Sequence, residues 1–269
     1  MNPKHERYDV VFSLGAACAC SVALRRAKLQ FASFPLDWIA GGTIIQRATL
    51  VASHFDGWLE KDDFLYDGRN PVNGLGIFKN KRTGLTHLHD FSDGPIDDSY
   101  AKVVEKYRRR ESRLFSLCSN ACRILCVYVS RPCYPHLSND DLHKTKHILA
   151  QAFPAAKVDL VHFTNDPGRK PSERLALEPE EGIFLFAFDY HDPVRDVNVN
   201  AVAEVLIEEG FSAKDFRTDA EKRAYERTLK MKKYGVHTHI GLLAARIKAQ
   251  LKRIFTRRHR KTCPQQVNV

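Results

Sequence analysis

The sequence predicts an α/β fold: a mostly parallel central sheet flanked by helices, with a C-terminal helical extension. Apolar runs of strand length recur at residues 8–14, Arg123–Val129, 157–163 and Ile183–Phe188. Near-continuous apolar runs suit strands covered on both faces, as in parallel sheets. Helical patterns alternate with the later runs, which is the signature of successive βα units. The third observation is charge: the last fifty residues are far more basic than the rest.

The elements follow in order. Residues 8–14 (YDVVFSL) form a strand bounded by Gly15, and residues 18–29 a helix with Arg25, Arg26 and Lys28 near its end. Cys18 therefore falls at a helix start. Residues 31–38 (FASFPLDW) are extended or looped, because Pro35 disfavours helix just before it. Residues 43–55 read as a short helix, 61–82 as irregular, and 85–91 (LTHLHDF) as a strand. Residues 98–118 form a helix with Tyr100, Val103, Val104, Tyr107, Leu114 and Leu117 along one stripe. Helices are also predicted at 140–153 and 199–209. The α/β domain spans 1–212 and the basic helical extension 213–269.

The whole chain carries a formal charge of +10. Residues 221–261 hold 14 Lys and Arg against two acids, leaving 28 basic and 30 acidic residues elsewhere. The body is near neutral, which argues against nucleic acid as its partner. In the tail, Ile240, Leu243, Ile247, Leu251 and Ile254 recur at helical spacing, flanked by Arg246, Lys248, Lys252, Arg253, Arg257 and Arg258. That basic amphipathic pattern fits peripheral contact with an anionic membrane through residues 240–258, or packing back on the domain. The opening residues lack the apolar region of a secretory signal, and no run is long enough to span a membrane. The expected setting is the cytoplasm, or the periphery of the inner membrane. Seven cysteines fit no disulfide framework and read as reduced thiols.

Cys18 is the leading candidate for chemistry. A thiol at a helix start meets free backbone N–H groups and the positive end of the dipole, which favour the thiolate. The small Gly15 and Ala17 leave room for a substrate. Cys20 reads as core. A thiolate needs a base. His89 lies 71 residues after Cys18, and His162, with Asn165 three residues on, lies 144 after it. On a regular strand His87 and His89 share a face and Asp90 points away from His89; Asp37 is then the acid that orients His89. A metal held by His87, His89 and Asp90 is the weaker alternative. The basic run Arg108, Arg109, Arg110 and Arg113 reads as a solvated helix face or an anion-binding one. Trp38 and Phe91 flank the acids as apolar walls. No phosphate-loop or dinucleotide motif is present, and no cofactor is called for.

These blocks occur together and in order: Ser13-Leu14-Gly15-Ala16-Ala17-Cys18, then Ser33-Phe34-Pro35-Leu36-Asp37-Trp38, then His89-Asp90-Phe91, then Glu105-Lys106-Tyr107 with Arg109-Arg110. The pattern resembles a bacterial family described as papain-like cysteine peptidases, over roughly residues 8–165. The resemblance implies Cys18 as nucleophile, His89 as base and Asp37 as acid, with Gly15, Ala17, Trp38 and Asp90 around the substrate. Leu36 stands where that family has Phe. The expected activity is a cysteine hydrolase, peptidase or amidase, or an acyltransferase. Its substrate would be a small-molecule, peptide or glycan-linked acyl compound. Two other readings stay open: an enzyme or accessory protein of bacterial surface-polysaccharide assembly, and a non-catalytic binding module.

Overall fold

The computed structural model describes residues 7–132 and 136–233, with 228–233 by backbone alone. The chain divides into two compact units, Met1–Asp215 and Phe216–Val269. The first opens with β1 (Arg7–Tyr8), β2 (Val10–Gly15) and α1 (Ala17–Arg26), then β3 (Ile39–Gly41) and α2 (Ile44–Ala52). Next come β4 (Phe64–Arg69), β5 (Gly76–Asn80), β6 (Leu85–Phe91) and the long α3 (Asp97–Cys118). The βα alternation follows: β7 (Arg123–Val129), α4 (Asn139–Ala152), β8 (Lys157–Asn165), β9 (Leu175–Glu180) and β10 (Ile183–Phe188). The unit closes with β11 (His191–Asp192), β12 (Asp196–Val197), α5 (Val199–Glu208) and β13 (Ser212–Ala213). The pairing of β13 with β1 carries this unit beyond residue 212.

Strands β2, β7, β8 and β10 lie side by side in that order and parallel, and β9 caps the edge antiparallel to β10. The four apolar runs seen in the sequence are these four parallel strands. Side chains alternate across the sheet. Leu125, Val127 and Val129 join the core under α1 and α5, while Ile124, Cys126 and Tyr128 are buried toward the opposite face, where α2 and α4 pack together. Register aligns Gly15 with Tyr128 and Tyr128 with His162, so the carboxyl ends of three strands form one edge.

Two of the helix starts are capped by residues of their own segment. Thr43 and Gln46 form a reciprocal cap on α2, and Ser138 and Asp141 do so on α4. Helix α1 has no side-chain cap and no acid in its first turn.

The expected mostly parallel central sheet is present, but it is not the whole of the β structure. A second, antiparallel sheet of order β3-β6-β5-β4 holds the segment between α1 and α3. Residues 61–82, expected to be irregular, supply its β4–β5 hairpin. Most of β4 is solvent-facing, so it lacks the apolar alternation that marks a half-buried strand. Arg47, fully buried on α2, ties the two sheets: it donates to Leu14 O at the end of β2 and to Ile39 O on β3.

In the second unit, α6 (Asp219–Lys233) starts at Thr218, whose hydroxyl accepts from the Glu221 amide at 3.2 Å. The amphipathic stretch 240–258 lies outside the described residues. No helix among the described residues is long and apolar enough to cross a membrane.

Candidate functional site

Cys18 sits in the first turn of α1, at the carboxyl end of β2. It is half-buried, whereas Cys20, Cys118 and Cys126 are buried. The depressed pKa expected of a helix-start thiol does not follow. Burial pushes the Cys18 thiol up, and its own backbone N–H and the Arg131 guanidinium pull it only part of the way back. Arg131 is paired with Asp196 at 2.5 Å. Cys20 is a core residue, its thiol donating to Val127 O at 3.2 Å and its pKa pushed up to about 12 by burial.

Among the described residues, no hydrogen bond joins Cys18 to an imidazole, and none joins Asp37 to His89. Asp37 is fully buried in the 3-10 turn Pro35–Trp38. Its carboxylate accepts from the Gln30 amide at 2.8 and 2.9 Å, the Phe34 N–H at 2.9 Å and Arg25 at 3.2 Å. Burial raises its pKa, with Gln30, the Phe34 amide and Arg25 opposing. Every one of these contacts pins the residues 25–37 loop to itself, so the acid is placed as a structural one.

His89 is exposed, with its Nδ1 2.8 Å from Asn73 Nδ2. The Asn73 amide is fixed in orientation: Nδ2 also donates to Leu88 O and Oδ1 accepts from Leu75 N. Nδ1 of His89 must therefore be the acceptor, which leaves Nε2–H as a donor in the neutral ring. A ring held this way can donate to an oxyanion but presents no lone pair to a thiol.

Of the two histidines on β6, the one that meets an acid is His87. Between β5 and β6 the register slips, so that Gly76 opposes Phe91 while Phe78 opposes His87. The bulge breaks the alternation on which the face assignment rested. His87 and Asp90 turn inward together, Nδ1 to Oδ2 at 2.8 Å, while His89 turns out. Asp90 also accepts the Tyr107 hydroxyl at 2.7 Å and pairs with Lys106. Burial would raise the Asp90 pKa, but the bond and charge of His87, with Lys106, hold it well below the usual carboxylate range. His87 Nε2 is buried without a partner, and its ring lies among Trp58, Phe64, Phe91 and Tyr107.

The remaining expected residues fall as follows. Gly15 is buried, and a Cβ there would meet the Arg47 guanidinium at 2.5 Å; its smallness serves the Arg47 tie. Ala17 is half-buried at the start of α1. Trp38 is half-buried under Arg25, whose guanidinium lies 5.4 Å from the ring centre. Phe91 is a core aromatic beside Phe64 and Phe78. The Asp90 carboxylate is taken up by His87, Tyr107 and Lys106. Arg110 stacks on Tyr107 and Arg113 donates to Ser33 O, leaving only Arg108 and Arg109 solvent-facing. Among the described residues, no group of three or more His, Cys, Asp or Glu is placed to hold a metal ion.

His162, the alternative base, lies on β8 facing α2 and α4, 1% exposed. Its Nε2 is 2.9 Å from Ser130 Oγ, just past the end of β7. The sequence held a signal for it: a histidine inside a buried parallel strand must find a polar partner.

No family model matches the chain, and no solved structure matches it. It is similar to the uncharacterized protein R408 of Acanthamoeba polyphaga mimivirus, 26% identical over 140 residues, 44% of this chain and 61% of the relative. The chain thus spans under two thirds of that relative's length, and the relative's name assigns no activity.

Proposed function

We propose that this chain is a thiol-dependent hydrolase or acyltransferase with Cys18 as nucleophile. One observation carries the reading. Cys18 is a half-buried thiol in an uncapped helix start at the carboxyl edge of the parallel strands, where open α/β sheets bind their ligands. The free amides of the first turn of α1 and the Arg131 guanidinium favour negative charge there. In the reaction, Cys18 Sγ bonds to the acyl carbon, the bond to the leaving group breaks, and the thiol proton leaves with that group. Water or an acceptor then releases the acyl chain. His89, held as an Nε2–H donor, fits oxyanion stabilisation better than proton abstraction.

A second reading is favoured by a specific observation. The thiol has no imidazole partner among the described residues, and burial raises its pKa. Both features suit a non-catalytic binding module. Acylation distinguishes the two. With 4-nitrophenyl acetate, a burst of 4-nitrophenolate and an acetyl adduct on Cys18 by intact-mass and peptide analysis are expected, both lost in Cys18→Ala. A burst that persists in C18A, or no adduct on Cys18, refutes the enzyme reading.

A further inference from the structure

On the sheet face away from α1, a cavity of about 410 Å³ opens at the carboxyl edge, in the size range of small-metabolite sites. Ile44, Ile45, Leu137 and Tyr128 supply its apolar lining, and Thr43, Ser130, His136 and Asp141 its polar groups, with the Asp141 carboxylate taken up by the Ser138 N–H and hydroxyl. Cys18 does not line it.

Ser130 is held tightly. Its N–H donates to Phe163 O at 2.9 Å, and its carbonyl accepts the Tyr190 hydroxyl at 2.7 Å. Its hydroxyl meets His162 Nε2, and the other ring nitrogen, Nδ1, is buried with no partner. Burial keeps this ring neutral, its pKa pushed down to about 3, with His136 adding to the effect. A neutral imidazole carries one N–H. Placed on Nδ1, that proton would be a buried donor with no acceptor. Placed on Nε2, it is satisfied by Ser130 Oγ, and only a lone pair goes unpaired. Unpaired acceptors are tolerated more readily than unpaired donors. The proton therefore sits on Nε2, Ser130 Oγ accepts it, and the Ser130 O–H remains to donate into the cavity that it lines.

Two more donors point the same way. In the first turn of α2, Gln46 N–H is satisfied by Thr43 Oγ1 and Arg47 N–H by Thr43 O. Among the described residues, the Ile44 and Ile45 amides have no acceptor. Helix α4 also begins at this cavity, but Asp140 and Asp141 occupy its first turn, whereas that of α2 holds no acid. The donor-rich end of the cavity is the α2 end.

We propose that this cavity binds a small organic anion, a phosphate ester or carboxylate on an apolar body. Its oxygens accept from the Ile44 and Ile45 amides and the Ser130 hydroxyl. Its body lies against Ile45, Leu137 and the Tyr128 ring. The site is separate from Cys18 and does not depend on the thiol reading.

Titration calorimetry on the full chain tests this with phenyl phosphate, benzoate, phenol and inorganic phosphate. Phenyl phosphate or benzoate should bind saturably, and the tighter of the two identifies the head group. Phenol and inorganic phosphate should each bind at least about tenfold more weakly than that probe, since each lacks half of the recognition. Ile45 is half-buried, so Ile45→Glu places a carboxylate at the anion seat without disturbing the core; binding should fall at least about tenfold. Ser130→Ala should weaken it several-fold. The Ile44 and Ile45 amide resonances should shift on titration with the bound probe.

Phenol binding as tightly as either anion would show only an apolar hole and overturn the proposal. So would no saturable binding up to about 10 mM, or affinity unchanged in I45E. Covalent labelling of Ser130 by a fluorophosphonate would show that His162 accepts its proton, and would overturn the donor assignment.

Discussion

Replacing Asp37 with Asn separates a structural acid from a catalytic one. The buried carboxylate accepts three sets of donors, from Gln30, the Phe34 amide and Arg25. Asn keeps one acceptor oxygen and turns an NH₂ toward donors, so at least one charge-assisted bond is lost. Such bonds contribute about 1.5–3 kcal/mol each, and an unsatisfied buried donor costs about 1–3 more. Two effects reduce the total. Arg25, with 32% of its side chain exposed, can turn to water. Burial already raises the Asp37 pKa, so a neutral side chain costs less to bury. The net expectation is a loss of about 2–3 kcal/mol, which for a unit of this size lowers Tm by about 4–12 °C. Thermal unfolding followed by circular dichroism measures it, with Cys18 acylation by 4-nitrophenyl acetate as the parallel readout. D37N should lose stability and keep its acylation rate once correctly folded. An unchanged Tm with acylation slowed more than about tenfold would place Asp37 in the chemistry and refute the argument.

Other expectations follow from the same contacts. The iodoacetamide rate at Cys18 should be low near pH 6 and still rising above pH 9, because burial raises the thiol pKa; a plateau below pH 8 would contradict this. Asp90→Asn should cost about 3–5 kcal/mol near neutral pH by leaving His87 and Lys106 against a neutral group. A carboxylate whose folded pKa is depressed stabilises above its unfolded value near 3.9 and loses that contribution as pH falls toward the folded value. The gap between wild type and D90N in denaturant midpoint should therefore close from about pH 4 downward, and a gap constant with pH would rule the charged network out. Gly15→Ala, at φ +118° and against the Arg47 guanidinium, should lower stability by more than about 2 kcal/mol in urea unfolding; a neutral result would mean that Arg47 does not tie the sheets.

What the sequence determined by itself was local. Apolar runs of strand length located the four parallel strands, because buried strands carry no other pattern. The strand, glycine and helix around Cys18 lie within twenty residues, so its place at a helix start was legible. The charge division between body and tail needed only counting. The tertiary structure decided the partners. A bulge in β6, invisible without its neighbour β5, turned Asp90 onto His87 and His89 outward, so the face of each side chain depended on strand pairing. Asp37 was read as free to reach His89, but loop closure by Gln30, Phe34 and Arg25 filled its oxygens first. Ser130 and His162 stand 32 residues apart and meet only because β7 and β8 are parallel neighbours in that register. Strand propensity is a property of a segment, whereas a hydrogen-bond partner is a property of the register, and register is set by the packing of the whole sheet.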